Sequence, residues 1–196
     1  MAQNSPIPRE ISSVVETLEK GGFQAYLVGG CVRDMFLGRN PKDWDITTDA
    51  IPDEIIALFP KTVYENVYGT VAVIDESTED PTLRSVEVTP YRLESEYSDR
   101  RHPDQVKFSK KIEDDLQRRD FTVNAIAVSL SNGAIKDIID LYGGFKDIKD
   151  KTIRTVGKPS DRFTEDALRM IRAVRFAVEL DLKIEKKKWK MQEKDM

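Results

Sequence analysis

Cysteine and histidine are almost missing: the 196-residue chain holds one of each, Cys31 and His102. A single cysteine excludes an internal disulfide framework and a cysteine-rich zinc site, and a single histidine leaves little for histidine-based metal binding or a Ser–His relay. No apolar run approaches the roughly 18 residues that a membrane span needs, and the N-terminus has no apolar signal core. A chain with one thiol, no span and no leader is expected in the cytoplasm. Basic charge is also lacking overall. The net charge of −4 gives no global footprint for nucleic acid, so any such contact must come from a local patch. What is present is ordinary for a globular protein, 39% hydrophobic and 34% charged, and the length suits one good-sized domain or one domain with part of a second.

Periodicity gives the order of elements. Ile11, Val14, Val15 and Leu18 have helical spacing and are followed by Gly21-Gly22, a stop. "AYLV" reads as a short strand ending in paired glycines, "CVRDMFLG" as a short helix closed by Gly38, and "KDWDITT" as an alternating strand. "PDEIIALF" is a helix with proline in its first turn. "GTVAVI" and "RSVEVTPY" are β-branched and alternate with period two. From Arg92 to Lys111 the chain turns polar and charged, long for a loop and therefore expected to be functional. A charged helix "EDDLQRRD", an apolar stretch "VNAIAVSL" and a strand and turn in "GAIKDIIDLYGGFKDIKD" come next. The last clear element is a helix over "TEDALRMIRAVRFAVEL" with Thr164 as its N-cap. Cys31 is expected to fill a helix–strand contact, His102 to be solvated in the long loop, and Lys186 to Lys188 to form a solvated tail.

Asp43 and Asp45 lie two apart on the expected strand, so both point to one face and Trp44 to the other. Adjacent carboxylates repel, and divalent metal is one reason to keep them; Mg²⁺ prefers hard oxygen ligands together with substrate phosphates. Glu87 alternates with Ser85 and Thr89 in its strand, with Val86 and Val88 toward the core, and supplies a third acid. Three carboxylates on neighbouring strands can hold two ions about 4 Å apart, the clamp of in-line phosphoryl displacement. Alone, an Asp-x-Asp pair is more often a solvated strand end.

"LVGGCVRD" sets Gly29 and Gly30 between a strand and a helix start, where backbone amides can approach phosphate oxygens, and Arg33 adds a charge-assisted donor. No Gly-Lys-Ser/Thr follows, so this is not a P-loop. With "LVGGCVRDMFLGRNPKDWDITTDA" as a whole, the chain resembles the nucleotidyltransferases that include bacterial CCA-adding enzymes and bacterial poly(A) polymerases. "RRDFTVNAIA", "DLYGGFKDIKDKTIRTVG" and "FTEDALRMIRAVRFA" resemble the later motifs of that family, in order, over roughly residues 20 to 180.

The resemblance implies an α+β fold: a DNA polymerase β-like nucleotidyltransferase head, with a mixed sheet flanked by helices, over residues 1–156, then the start of an all-α neck over 157–196. It implies that Gly30 and Arg33 hold a nucleotide triphosphate and that Asp43, Asp45 and Glu87 bind two Mg²⁺ ions. It also implies that Arg119 and Asp120 recognise the nucleotide, Asp120 through the ribose 2′-hydroxyl. By itself "QRRD" also fits a helix C-terminus with dipole-compensating arginines.

In the last helix, Ala167, Ile171, Val174 and Val178 fall on one stripe at 100° per residue and are expected to face the core. Asp166, Arg169 and Arg172 follow at i+3 spacing around the other side, with Arg175 near the border; ion pairs on an exposed face would look the same. Hydrogen-bond chemistry gives a sharper reading. A carboxylate only accepts and a guanidinium only donates. Cytosine and adenine each present an amino donor beside a ring-nitrogen acceptor, matching Asp166 and Arg169, while guanine and uracil invert the order. A polar group left unpaired in a closed site costs about 1–3 kcal/mol. The resemblance gives this helix that protein-template role, with Arg172 and Arg175 assisting.

"ENVYGTVAV" lacks the more basic Arg-Phe segment typical of bacterial poly(A) polymerases, and the long segment "YSDRRHPDQVKFSKKIEDDL" (97–116) resembles the flexible loop that switches C to A addition. CTP and ATP are therefore the expected nucleotides and a tRNA 3′ end the expected acceptor, with poly(A) or A-only addition as the alternative. A non-catalytic nucleotide- or RNA-binding module is the alternative of another class; loss of an acid would mark it, and all three acids are present. Family members continue into a helical body and tail that grip the tRNA, so that grip is expected from a C-terminal part or a protein partner.

Overall fold

The computed structural model describes residues 7–65, 68–94 and 106–185, so His102, most of the long polar segment and Lys186 to Lys188 lie outside the described residues. The first helix, α1 (Arg9–Lys20), buries Ile11, Val14, Val15 and Leu18 as their spacing requires. β1 (Ala25–Val28), α2 (Gly30–Phe36) and β2 (Asp45–Thr48) follow. In α3 (Pro52–Leu58), proline opens the helix and Glu54 reaches back to accept the Ile51 N–H at 2.8 Å. Then come β3 (Thr62–Tyr64), β4 (Val71–Ile74) and β5 (Ser85–Pro90). The long polar segment is not all loop: its ends form a two-stranded antiparallel ribbon, β6 (Arg92–Glu94) with β7 (Val106–Phe108).

After α4 (Ile112–Gln117), a 3₁₀ turn (Thr122–Asn124) leads into β8 (Ala127–Ser131) and β9 (Ala134–Ile139). The expected turn after β9 contains a helix as well, α5 (Gly144–Lys149), whose first amides donate to the Asp140 carboxylate from Gly144 and Phe145 at 2.7 and 2.9 Å. Gly144 admits no side chain, because a Cβ there would sit 2.0 Å from the Thr122 carbonyl oxygen. The chain closes with β10 (Thr152–Ile153), α6 (Pro159–Glu165), α7 (Leu168–Glu179) and β11 (Lys183–Ile184).

Among the described residues seven strands form one mixed sheet, ordered β3-β4-β5-β2-β1-β8-β9, in which β2 and β5 run parallel and the other neighbours antiparallel. Alternation along the strands feeds two cores. Leu27, Ile46, Val88 and Val128 join residues of α1, α2, α3, α5 and α7, while Val28 and Ala127 turn to a smaller cluster with Tyr91, Ile112 and Leu116. The segment after residue 156 returns to the head, since β11 pairs in parallel with β10 and Phe176, Leu180 and Leu182 enter the main core.

Two expectations for the last helix are corrected. The chain breaks into α6 and α7 at Asp166, so Thr164 is not an N-cap; its hydroxyl donates back to the Ser160 carbonyl inside α6, and Asp166 accepts the Leu168 N–H at 2.8 Å. The expected core stripe also faces out: Ile171, Val174 and Val178 are 67%, 56% and 80% exposed, while Arg169, Ala173 and Phe176 are buried. Ala173, Phe176 and Arg169 turn inward, Arg169 onto Glu165 of α6, while Arg172 and Arg175 stand half-exposed at the cleft and Arg172 reaches Asp120 of the head.

Within this chain, Ile171→Ser and Val178→Ser should therefore change stability by no more than about 0.5 kcal/mol. Phe176→Ala should cost about 3–5 kcal/mol. Urea unfolding distinguishes these orientations, and comparable losses at all three sites would refute the placement of α7.

Candidate functional site

The C-terminal end of β1, the N-terminal end of β2, α2, the segment after α4 and α7 enclose a cleft of about 930 Å³. Its acidic side is set by a buried tryptophan. Trp44 is 5% exposed and anchors the chain between Asp43, in a bend just before β2, and Asp45, the first residue of β2. Both aspartates line the cleft, although only Asp45 belongs to the strand. Burial raises the Asp45 carboxyl above its ordinary range; Arg119 opposes that rise, and Asp43 adds to it.

Glu87 pairs with Asp45 in register across the parallel β2–β5 ladder. Partial burial, then Asp45, Glu65 and Asp43, push Glu87 up to about 7. Glu87 does not itself line the cleft, and among the described residues no three His, Cys, Asp or Glu side chains are gathered into a ready metal cage. The donor set nevertheless suits a hard cation: the charge of Asp43 raises both Asp45 and Glu87, Asp45 raises Glu87 further, and a divalent ion would relieve the same repulsion.

The glycine turn is dictated by close approach. Gly29 has φ +79°, and a Cβ there would lie 3.0 Å from Asp45 Oδ2 and 3.2 Å from an Arg119 guanidinium nitrogen. Gly30 opens α2 beside it, and both glycines line the cleft. On the next turn Arg33 is 8% exposed; it donates to Asp34 and, at 2.8 Å, to Asn124 Oδ1. Cys31 is buried as expected, its thiol donating to the Val28 carbonyl, and burial pushes it up to about 12, which makes it inert.

The basic side depends on three carboxylates, of which the sequence singles out Asp120 but neither Asp115 nor Glu165. Asp115, fully buried, takes Arg118 on one oxygen at 2.7 Å and Arg119 on the other at 2.9 Å. Burial would raise this acid, but the two guanidinium groups outweigh burial and hold it down at about 2. Asp120 accepts Arg172, and Arg169 pairs with Glu165 at 2.8 Å. Phe176 was also missed. Its ring lies 5.0 Å from the guanidinium carbons of Arg33 and Arg175 and 5.2 Å from that of Arg172, and meets Phe121 edge-on. The i+3 and i+4 spacing of Arg118 and Arg119 from Asp115 was a readable signal; nothing local in the sequence marks Phe176. Asp166, Arg169, Arg172 and Arg175 all line the cleft with the acid pair.

A mixed sheet with two acids in register across its central parallel pair, a glycine turn against one of them and an arginine wall opposite define a nucleotidyltransferase-type head of the DNA polymerase β kind. The chain belongs to the poly A polymerase head domain family, whose model matches residues 25–154. It is 48% identical over 183 residues to the CCA-adding enzyme of Ligilactobacillus salivarius, covering 91% of this chain and 43% of that protein. It is 48% identical over 168 residues to that of Geobacillus thermodenitrificans, covering 85% and 39%. Among solved structures, the Bacillus stearothermophilus CCA-adding enzyme in complex with CTP aligns with a TM-score of 0.79 and 39% identity, over 94% of this chain and 42% of that one. The Thermotoga maritima CCA-adding enzyme complexed with tRNA-CCA aligns at 0.71 and 25%, over 95% and 41%. The chain thus spans less than half the length of these relatives.

Two outcomes check this geometry. An alanine at Gly29 would carry about 1–3 kcal/mol of backbone strain and crowd Asp45, so Gly29→Ala should lower stability by about that much in urea unfolding; an unchanged midpoint would show that the turn is not so tightly constrained. Asp115 has a folded value below its ordinary 3.8, so its contribution of about 2 kcal/mol is present above pH 4 and lost as pH falls through about 2. Asp115→Asn should lower stability at neutral pH by about 3 kcal/mol and flatten the acid limb. Unchanged urea midpoints from pH 7 to pH 2 would contradict the clamp.

Proposed function

We propose that the chain is the catalytic head for template-independent transfer of CMP and AMP from CTP and ATP to the 3′ end of tRNA, the CCA addition after which its relatives are named. The observation that carries the reading is that the acid pair, the glycine turn and the Asp166–Arg169 pair open into one cleft. Asp43, Asp45 and Glu87 would hold two Mg²⁺ ions, which when bound supply activation of the attacking hydroxyl and charge neutralisation on the triphosphate and departing pyrophosphate.

The chain's own residues do the rest. The Gly29–Gly30 turn admits the triphosphate, and Arg33 and Arg119 provide positive charge beside it. Asp120 receives the ribose 2′-hydroxyl. Asp166 accepts the exocyclic amino group of cytosine or adenine while Arg169 donates to the ring nitrogen; guanine and uracil would place donor against donor and acceptor against acceptor. Arg172 and Arg175 assist that selection. The tRNA grip comes from a C-terminal part or a partner protein, in keeping with the relatives' greater length. The compartment that fits such chemistry is the cytoplasm, and no helix of the described residues is long and apolar enough to cross a membrane.

Incubation with tRNA ending at the discriminator base, Mg²⁺ and single labelled nucleotides should give C and then A addition, abolished in the Asp43→Ala/Asp45→Ala variant. Long A tracts would favour poly(A) synthesis instead. Incorporation that survives the double substitution would refute the metal-dependent mechanism. Binding of CTP and ATP without any transfer would favour a nucleotide-binding module or a missing partner.

A further inference from the structure

The acceptor capacity of Asp120 is fully occupied inside the protein. The side chain is 9% exposed. Its Oδ1 accepts the Phe121 N–H at 2.8 Å and Asn124 Nδ2 at 3.1 Å. Its Oδ2 accepts Arg172 twice, from Nε at 2.8 Å and from Nη2 at 2.7 Å. A carboxylate has about four lone-pair sites, and four donors fill them. A ribose 2′-hydroxyl can donate to this group only after one resident donor leaves.

The four donors differ in how readily they can go. Phe121 N–H is backbone in the same segment, and Asn124 is 6% exposed and also receives Arg33. Together they fix the carboxylate's orientation from the Oδ1 side. Arg172 stands on another element, α7, with its side chain 44% exposed, and its guanidinium rests on the Phe176 ring. It can swing away from Oδ2 while Asp120 stays in place.

We infer that Arg172 occupies the acceptor site on Asp120 that a ribonucleotide needs, and that the ribose 2′-hydroxyl displaces it. Arg172 is then a specificity-determining residue for the sugar, acting by competition. A ribonucleotide exchanges one contact of Oδ2 for another, whereas a deoxyribonucleotide has no hydroxyl to offer and leaves the Asp120–Arg172 pair closed. The exchange also links the sugar to the helix that reads the base, because the released guanidinium belongs to α7. This inference rests on the proposed ribose contact of Asp120.

The test is calorimetric binding of CTP and dCTP, each with Mg²⁺, to the full chain and to Arg172→Met, Arg172→Lys and Asp120→Asn, with thermal unfolding of each variant. Loss of a cation from the cleft weakens both nucleotides alike, so the CTP:dCTP affinity ratio is the readout. Arg172→Met should widen that ratio by roughly three- to tenfold, the worth of one hydrogen bond no longer exchanged. Arg172→Lys, a point charge in place of a two-pronged donor, should widen it less. Should Arg172→Met unfold, widening in Arg172→Lys still carries the result. An unchanged or narrowed ratio in folded Arg172 variants would overturn the competition while leaving the nucleotide site intact. A wild-type ratio of one, unmoved by Asp120→Asn, would overturn the ribose role of Asp120 and this inference with it.

Discussion

The ring of Phe176 stands among three guanidinium groups, and the cleft's basic wall depends on it. Arg33 comes from α2, Arg172 and Arg175 from α7, and all three guanidinium carbons lie over the ring, 5.0–5.2 Å from its centre. Three like charges brought so close would separate in water. A buried π-system offers each a favourable quadrupole, and Asp34 and Asp120 add a carboxylate to the first two. Phe176 also meets Phe121 edge-on, beside Asp120, so one side chain ties the amphipathic helix to the segment after α4. Take the ring away and both the wall and the docking of α7 lose their centre.

Opposite this wall the problem is reversed. Asp45 and Glu87 are adjacent because β2 and β5, the parallel pair within an otherwise antiparallel sheet, place them in register. Burial raises both carboxyls, Asp43 adds to the rise of each and Asp45 to that of Glu87, so the head holds its acids at an energetic disadvantage that a cation would remove. Arg119 and Arg33 connect the two sides, since both lower Asp45; Arg119 also lies against the Gly29 turn and is anchored by Asp115. A fully buried carboxylate with two bidentate arginines is stable only as a complete set, which is why a residue outside the cleft governs a charge inside it.

The parts of the fold that read directly from the sequence are those where one local rule suffices. Spacing gave α1, period two gave β5 with Glu87 outward and Val86 and Val88 inward, and the paired glycines gave the turn at Gly29. Ordered motifs then assigned Asp43, Asp45 and the arginines to a common chemistry, and they do share a cleft. What escaped depends on contacts between distant segments. α5 forms because Asp140 caps it and Gly144 fits against the Thr122 carbonyl, neither visible as helical periodicity. β6 and β7 pair only across the long polar segment.

The reversal of α7 shows most sharply why periodicity alone could not decide. Its two faces are an apolar stripe of Ile171, Val174 and Val178 and a face carrying Arg169, Arg172 and Arg175 with Ala173 and Phe176 between them. Hydrophobic burial favours the first by roughly 1.5–3 kcal/mol per large side chain. That preference is opposed by Ala173 and Phe176 entering the core, by Arg169 pairing with Glu165 of α6 and by Arg172 pairing with Asp120 of the head. Asp120 lies 52 residues from Arg172 in sequence, where no window of a few turns can reach. The orientation of α7 is therefore a record of the site it serves: the fold accepts exposed isoleucine and valine in order to place guanidinium groups at the cleft.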